Sequence, residues 1–304
     1  MHPAYALSDA ATVFSPSLVF FPELIRNNIK RVIEMAGTPA RLRPHVKTHK
    51  TVEIVKLLLE AGVTKHKCAT IAEAEMLAAA GAPDVLIAYP LVGPNIGRAV
   101  QLVRTYPRTT FSALIDDPAM ARDLSAATRA AGAEIGVVLD LDVGQHRTGI
   151  AVGPDALALY ELAGALPGLR PEGFQLYDGH NNQPDRAARE AAVREFIRPV
   201  LALRAGAEAQ GARVPRLVCG GTPSFPVYAA MTDVPGITPA DREPRDARPG
   251  QQVGRRRPGA GEAGHAARLP RVQDGRSQRG APYRGDRGGG RVQAGRSGVR
   301  TAGP

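Results

Sequence analysis

The chain has 304 residues, 43% of them hydrophobic, enough for one large domain or for one large and one small. Its formal net charge of +10 is unevenly placed: residues 1–240 carry 24 Lys and Arg against 23 Asp and Glu, while residues 241–304 carry 15 Arg against 6 acids. The basic balance therefore says nothing about partners of the larger part, and two distant cysteines, Cys68 and Cys219, exclude a disulfide framework or a Cys-rich zinc site.

No stretch approaches ~18 uninterrupted apolar residues, so no membrane span is expected. Asp9 precedes any apolar run and no basic n-region is seen, so the expectation is a cytoplasmic chain without a signal peptide.

Leu18–Phe21 reads as a short β-like run. Pro22–Ala36 reads as a helix, with Leu24, Ile25, Ile29, Val32 and Ile33 at helical spacing. Arg41–Lys47 is extended, because Pro44 disfavours helix at Arg43. Val52–Ala61 is helical and stops at Gly62. From there strands and helices alternate. Strands are predicted at Lys65–Ala69, Asp84–Ala88, Thr110–Ile115, Glu134–Leu141, Gly173–Tyr177 and Arg216–Cys219. The helices between and after them are Ile71–Ala80, Asn95–Arg104, Pro118–Ala131, Pro154–Ala165, Asp185–Gln210 and Phe225–Met231.

Seven successive β-then-α units imply parallel strands with crossover helices. Counted from Arg41, an eighth strand beginning near Pro235–Thr238 would close a (β/α)8 barrel of TIM type. The rival is a doubly wound open sheet, which the lack of a GxGxxG after an early strand weakens. The barrel domain is placed at residues 15–240.

Residues 241–304 contain one Leu, one aromatic (Tyr283) and 14 Gly. Such a segment buries too little apolar surface to offset chain entropy, so a non-globular tail is expected. It reads either as an Arg/Gly arm that binds nucleic acid or as a GC-rich gene translated in a wrong frame. The shortage of aromatics for base stacking favours the second.

The densest chemistry is Arg43-Pro44-His45-Val46-Lys47-Thr48-His49-Lys50, where a strand ends and a helix begins. In a parallel barrel that is the C-terminal face, where active sites lie. Desolvation and neighbouring cations there favour a nucleophilic lysine. A solvated basic loop is the alternative, and the octapeptide alone does not separate the two.

Arg147 also follows a strand; it could steady an anionic oxygen or simply pair with Asp140 or Asp142. Tyr177 and His180 end a strand, where His180 is either a proton acceptor or an ordinary loop histidine. Gly220-Gly221-Thr222-Pro223 follows an apolar strand and opens a helix, a turn that suits an anion such as phosphate but is common elsewhere. Cys68 and Cys219 read as small core residues.

The octapeptide resembles the cofactor-lysine motif of the D-threonine aldolase and D-serine dehydratase family. These are fold-type III pyridoxal 5'-phosphate (PLP) enzymes related to the N-terminal domain of alanine racemase. Three further segments resemble the family in the same order: Lys67–Glu75, Asp142–Gly149 with its Gly-x-x-Arg-x-Gly element, and Gln175–His180 with its Tyr-x-Gly-His element. The resemblance covers about residues 15–238.

The resemblance implies that Lys47, not Lys50, carries PLP as a Schiff base. It implies His45, Arg147, Tyr177, Gly220, Gly221 and Thr222 as cofactor contacts, and His180 as the base. The implied reaction is retro-aldol cleavage of D-threonine or another D-3-hydroxy amino acid to glycine and an aldehyde. The alternatives are a D-serine dehydratase-like lyase or a non-catalytic PLP-binding protein.

The resemblance further implies a homodimer and a C-terminal β-domain whose His-x-Cys or His-x-Asp pair binds a divalent metal. After Cys219 there is no cysteine, and after His180 the one histidine is His265, followed by Ala266 and Ala267. No metal ligand is assigned. The eighth strand and β-domain are expected to be incomplete or missing, and the activity impaired. No membrane or specific nucleic-acid partner is expected.

Overall fold

Pro22 opens α1 (Pro22–Ala36), where its missing N–H costs nothing, and Ile25, Ile29, Val32 and Ala36 bury one helical face. The helix ends at Gly37, whose φ of 81° needs no Cβ. Here the protein is a computed structural model, and it describes residues 10–14 and 16–239. The tail at 241–304 and the expected β-domain lie outside the described residues.

Eight helices and eight strands follow one another in chain order among the described residues. After α2 (Val52–Glu60) come β1 (Lys65–Cys68), α3 (Ile71–Ala79), β2 (Asp84–Pro90), α4 (Pro94–Thr105), β3 (Thr110–Ile115) and α5 (Pro118–Ala130). Then come β4 (Ile135–Asp142), the two-residue β5 (Ile150–Ala151), α6 (Pro154–Ala165), β6 (Leu169–Leu176), α7 (Arg186–Ala209), β7 (Arg216–Cys219), α8 (Phe225–Ala230) and β8 (Ile237–Pro239).

Every strand pairing is parallel, in the order β1-β2-β3-β4-β6-β7-β8, with β5 on β4. Parallel neighbours need crossover connections, which the intervening helices provide.

Residues 43–46 form the stave ahead of β1. Val46 N–H donates to Lys67 O and Lys67 N–H to Pro44 O, each at 2.9 Å. On its other side, Arg43 N–H reaches Pro239 O of β8 at 3.4 Å. The eighth strand thus starts at Ile237, within the expected window, and its described part meets the first stave. Among the described residues the strands form the expected parallel β/α barrel, with an eighth strand of only three residues, incomplete as the sequence implies.

Period-2 alternation sorts the strands. Leu86, Leu114, Val138 and Val218 form a small cluster inside the barrel. Their neighbours Val85, Ile87, Ala113, Val137, Leu139 and Leu217 join the larger core under the helices. Ile25, Ile29, Leu42, Ile54, Leu58 and Phe225 form a third cluster, clamping α1 and α2 to α8. Each such fully buried side chain contributes roughly 1.5–3 kcal/mol.

Three expectations change. The segment expected to be extended over Arg41–Lys47 is so only in its middle, because Arg41 ends a 3-10 helix (Pro39–Arg41) and residues 46–49 form a turn. Leu18–Phe21 forms no strand. The strand expected at Gly173–Tyr177 starts four residues earlier and stops at Leu176. Its early half contains Pro171, a residue type that is disfavoured inside strands.

Candidate active site

The first stave ends at a turn over residues 46–49, closed by Lys50 N–H donating to Val46 O at 2.8 Å. Lys50 takes a left-handed φ of 47° and ion-pairs with Glu73. Glu73 in turn accepts from Ala69 N–H at 2.7 Å, while its own N–H is capped by the Thr70 hydroxyl at 3.1 Å. Lys50 therefore ties the turn to the start of α3, whereas Lys47, exposed like Lys50, forms no ion pair among the described residues.

Three cations converge on one ring. The Tyr177 centroid is 5.6 Å from Lys47 Nζ, 5.9 Å from Lys67 Nζ and 5.0 Å from Arg147 Cζ. All lie within the ~6 Å range at which a ring face attracts a cation. Four strand ends supply the group: the first stave, β1, β4 and β6. Lys67 is 2% exposed.

His45 is buried beside them, and its Nδ1 accepts from Lys47 N–H at 3.1 Å. Burial first, then the charges of Lys67, Lys47, Lys50 and Arg147, push its pKa down to about 2. It is therefore a neutral imidazole at any working pH, and Nε2 carries its proton. His49 is lowered to about 4, mainly by burial.

Arg147 makes no ion pair with either nearby carboxylate. Asp142 accepts from Gly144 N–H and His146 N–H and pairs with the His146 ring. Asp140 accepts from the Thr148 hydroxyl at 2.8 Å and from Gln175 Nε2 at 3.1 Å. Burial raises the Asp140 pKa.

Tyr177 lies against glycines. A Cβ at Gly179 would fall 2.4–2.5 Å from its ring, and one at Gly221 would fall 3.3 Å from it. Gly220 has a φ of 87°, and a Cβ there would strike the Tyr228 ring at 2.6 Å. Close backbone approach is thus what this turn requires of both glycines. Their N–H groups are already bonded: Gly220 to Leu176 O at 2.9 Å, and Gly221 to Asp178 Oδ1 at 2.9 Å and Ser224 Oγ at 3.0 Å. Thr222, next along, is exposed.

His180 is exposed, its ring 5.0 Å from that of Phe196 and over Gly144 on the Arg147 loop. The structure thus brings Lys47, His45, Arg147 and Tyr177 together, with the Gly220–Gly221 turn beneath the ring. His180 stands on the adjoining loop.

Sequence reasoning left three participants unassigned. Lys67 lies in the polar strand Lys65-His66-Lys67-Cys68, where alternation does not reveal the buried face. Asp178 is fully buried behind the turn, accepting from Gly221 N–H, Ser224 Oγ and, at 3.4 Å, Tyr228 Oη. Ser224 completes that network, which no motif marks. Cys68 and Cys219 are fully buried, with thiol pKa values pushed up by burial. Among the described residues no group of three His, Cys, Asp or Glu side chains could hold a metal ion.

The donor set suits an anionic cofactor that forms a bond to an amine: an exposed lysine outside any ion pair, two further cations, an aromatic ring and a neutral imidazole. A parallel β/α barrel with a lysine-bearing turn at its strand ends is the class these features define. Residues 22–235 match the alanine racemase N-terminal domain family, and the chain belongs to it.

Among curated proteins it is 30% identical over 231 residues to 3-hydroxy-D-aspartate aldolase of Paracoccus denitrificans, covering 73% of this chain and 58% of that one. It is 31% identical over 232 residues to D-threo-3-hydroxyaspartate dehydratase of Delftia sp., covering 75% and 59%. Among solved structures, D-threonine aldolase from Filomicrobium marinum is 28% identical with a TM-score of 0.71, covering 77% of this chain and 63% of that one. These relatives are lyases by name, and the chain spans less than two thirds of the length of each.

Proposed function

We propose that the chain is a PLP-dependent lyase that cleaves D-threonine, or a related D-3-hydroxy amino acid, to glycine and an aldehyde. The observation that carries this reading is the convergence of Lys47, Lys67 and Arg147 on Tyr177 beside a neutral His45.

When bound, PLP would draw electron density from the substrate α-carbon as the Cα–Cβ bond breaks. Lys47 Nζ is the attachment point. Arg147 would bring its guanidinium to the anionic side of the cofactor. Tyr177 would offer the cofactor a phenol rather than a carboxylate, a weak partner for a pyridine nitrogen. Gly220 and Gly221 shape the phosphate turn and keep the Tyr177 and Tyr228 rings close. Thr222 presents a hydroxyl and a backbone N–H to the phosphate. His45, a neutral ring bonded to the Lys47 amide, fixes the lysine turn without adding charge.

His180 accepts the proton from the substrate β-hydroxyl at its ring, and returns it when the product amino acid is released. The described residues do not fit a divalent metal, since no three of their His, Cys, Asp and Glu side chains are grouped to hold one. The homodimer and the D-3-hydroxy amino acid partner are part of the same proposal.

A second reading, dehydration to a keto acid, has the Delftia relative in its favour. The products separate the two. Purified chain loaded with PLP should be given D-threonine and D-3-hydroxyaspartate, with and without Mn²⁺. Glycine with an aldehyde supports the aldolase; a keto acid with ammonia supports the dehydratase. PLP bound with neither product would leave a cofactor-binding protein.

A further inference from the structure

The opposite end of the barrel holds a charged cavity. It lies where the strands begin, with Lys65 opening β1, Asp84 opening β2 and Arg216 opening β7. Its volume is about 440 Å³, within the range of small-molecule pockets.

Cations outnumber acids in its wall. Arg43 forks both guanidinium nitrogens onto Asp84 at 2.7 Å, and Arg216 pairs with Glu172 and, at 3.5 Å, with Asp84. Arg170 shares Glu172 and also takes Glu134 at 2.8 Å. Those pairs use every acid at the base. Lys65 Nζ reaches only the Ala40 carbonyl, at 2.7 Å, and Arg213 has no ion pair among the described residues. Arg43 is fully buried, yet its Nε donor has no partner.

The crowding has a cost. Arg216 falls to about 10, first by burial and then by the Arg43 charge, and Lys65 is lowered in the same order by burial and by Arg43. An anion seated in the cavity would relieve that repulsion and give the surplus donors an acceptor.

We propose that this basal cavity binds a small anion bearing phosphate or carboxylate groups. Lys65 and Arg213 would supply the uncommitted charge at its wall, and the Arg43–Arg216 pair the electropositive floor. Planar guanidinium forks match both anion types, and charge-assisted hydrogen bonds are the strong ones. The cavity is separate from the Lys47 turn, which lies at the other end of the strands. Arg43 belongs to the octapeptide that carries Lys47, so that motif would serve both ends of the barrel.

The test uses the full chain saturated with PLP, so that the cofactor's own phosphate site is filled. Calorimetric titration with pyrophosphate, and separately with succinate, at constant ionic strength distinguishes the two anion sources. The expected result is saturable binding of one probe at one site. It should weaken roughly tenfold or more in Lys65→Met/Arg213→Gln, with the PLP absorbance unchanged. Arg213 is exposed, so Arg213→Gln alone provides a variant whose folding is not in question, and it should weaken binding in the same direction. No binding of either probe to the parent chain, or equal binding by the parent and Arg213→Gln, would overturn the proposal.

Discussion

Lys47 Nζ stands 5.6 Å from the centre of the Tyr177 ring, and the ring itself rests on Gly179 and Gly221. The lysine, the ring and the two glycines come from three different strand ends. The position of the reactive amine relative to any bound cofactor therefore depends on how close the backbone lets that ring lie.

Gly179→Ala tests this dependence. The new methyl would sit 2.4–2.5 Å from the far end of the Tyr177 ring, which can swing away. Stability should change by less than about 1 kcal/mol, while PLP affinity falls roughly tenfold as the ring leaves the cation cluster. Fluorescence titration with PLP alongside thermal melts measures both. Unchanged affinity would show that the ring position does not matter.

Asp178 should matter for the turn it supports. It is fully buried and accepts from Gly221 N–H, Ser224 Oγ and Tyr228 Oη. Asp178→Ala takes the acceptor from Tyr228 Oη and leaves Gly221 N–H and Ser224 Oγ only their bonds to each other within the turn, an expected loss of about 1–3 kcal/mol with weaker PLP binding. Asp178→Asn retains one carbonyl acceptor and should lose less. Chemical denaturation of the two variants checks the order, and equal losses would contradict it.

The pH dependence has a sign set by buried imidazoles. His66 is fully buried, neither ring nitrogen has a hydrogen bond of good geometry, and burial holds its pKa down to about 4. The unfolded chain titrates this group near 6.5, so between about pH 4 and 6.5 the unfolded state holds the extra proton. The neutral ring's contribution is fully present above that window. It is lost on acidification, at roughly 1.4 kcal/mol per pH unit. Asp140 and Asp178, whose pKa values burial raises, act in the opposite direction. The measurement is therefore a difference: urea unfolding of His66→Phe and of the parent chain from pH 7.5 to 4.5. The variant should gain about 1 kcal/mol at pH 7.5 and show a shallower loss in acid. Parallel curves would contradict the assignment.

The sequence made the barrel legible because helix and strand periods alternate cleanly from Val52 to Met231, with Gly or Pro at most junctions. The site was legible where it lies in continuous motifs, as Lys47, Arg147 and Tyr177 do. It was illegible where barrel closure decides the partner. Lys67 sits in the strand Lys65-His66-Lys67-Cys68, whose polar residues conceal which face is buried. Asp178 gains its role only when β6 and β7 place it behind Gly221, 43 residues away. The start of β6 was missed for a local reason. Pro171 and Glu172 look like a turn, yet Glu172 points into the base of the barrel and pairs there with Arg216. Leu18–Phe21 shows the converse error, since an apolar run becomes a strand only when a neighbour accepts its hydrogen bonds.

The central claim is that Lys47 carries the cofactor. Borohydride reduction of the PLP-loaded chain, followed by peptide mapping, tests it directly. The account predicts a pyridoxyl label on Lys47 alone. It also predicts that Lys47→Ala abolishes the label while Lys50→Ala retains it, because Lys50 is held by Glu73. A label on Lys67, whose Nζ lies at nearly the same distance from Tyr177, or on Lys50 or Lys65, would contradict it.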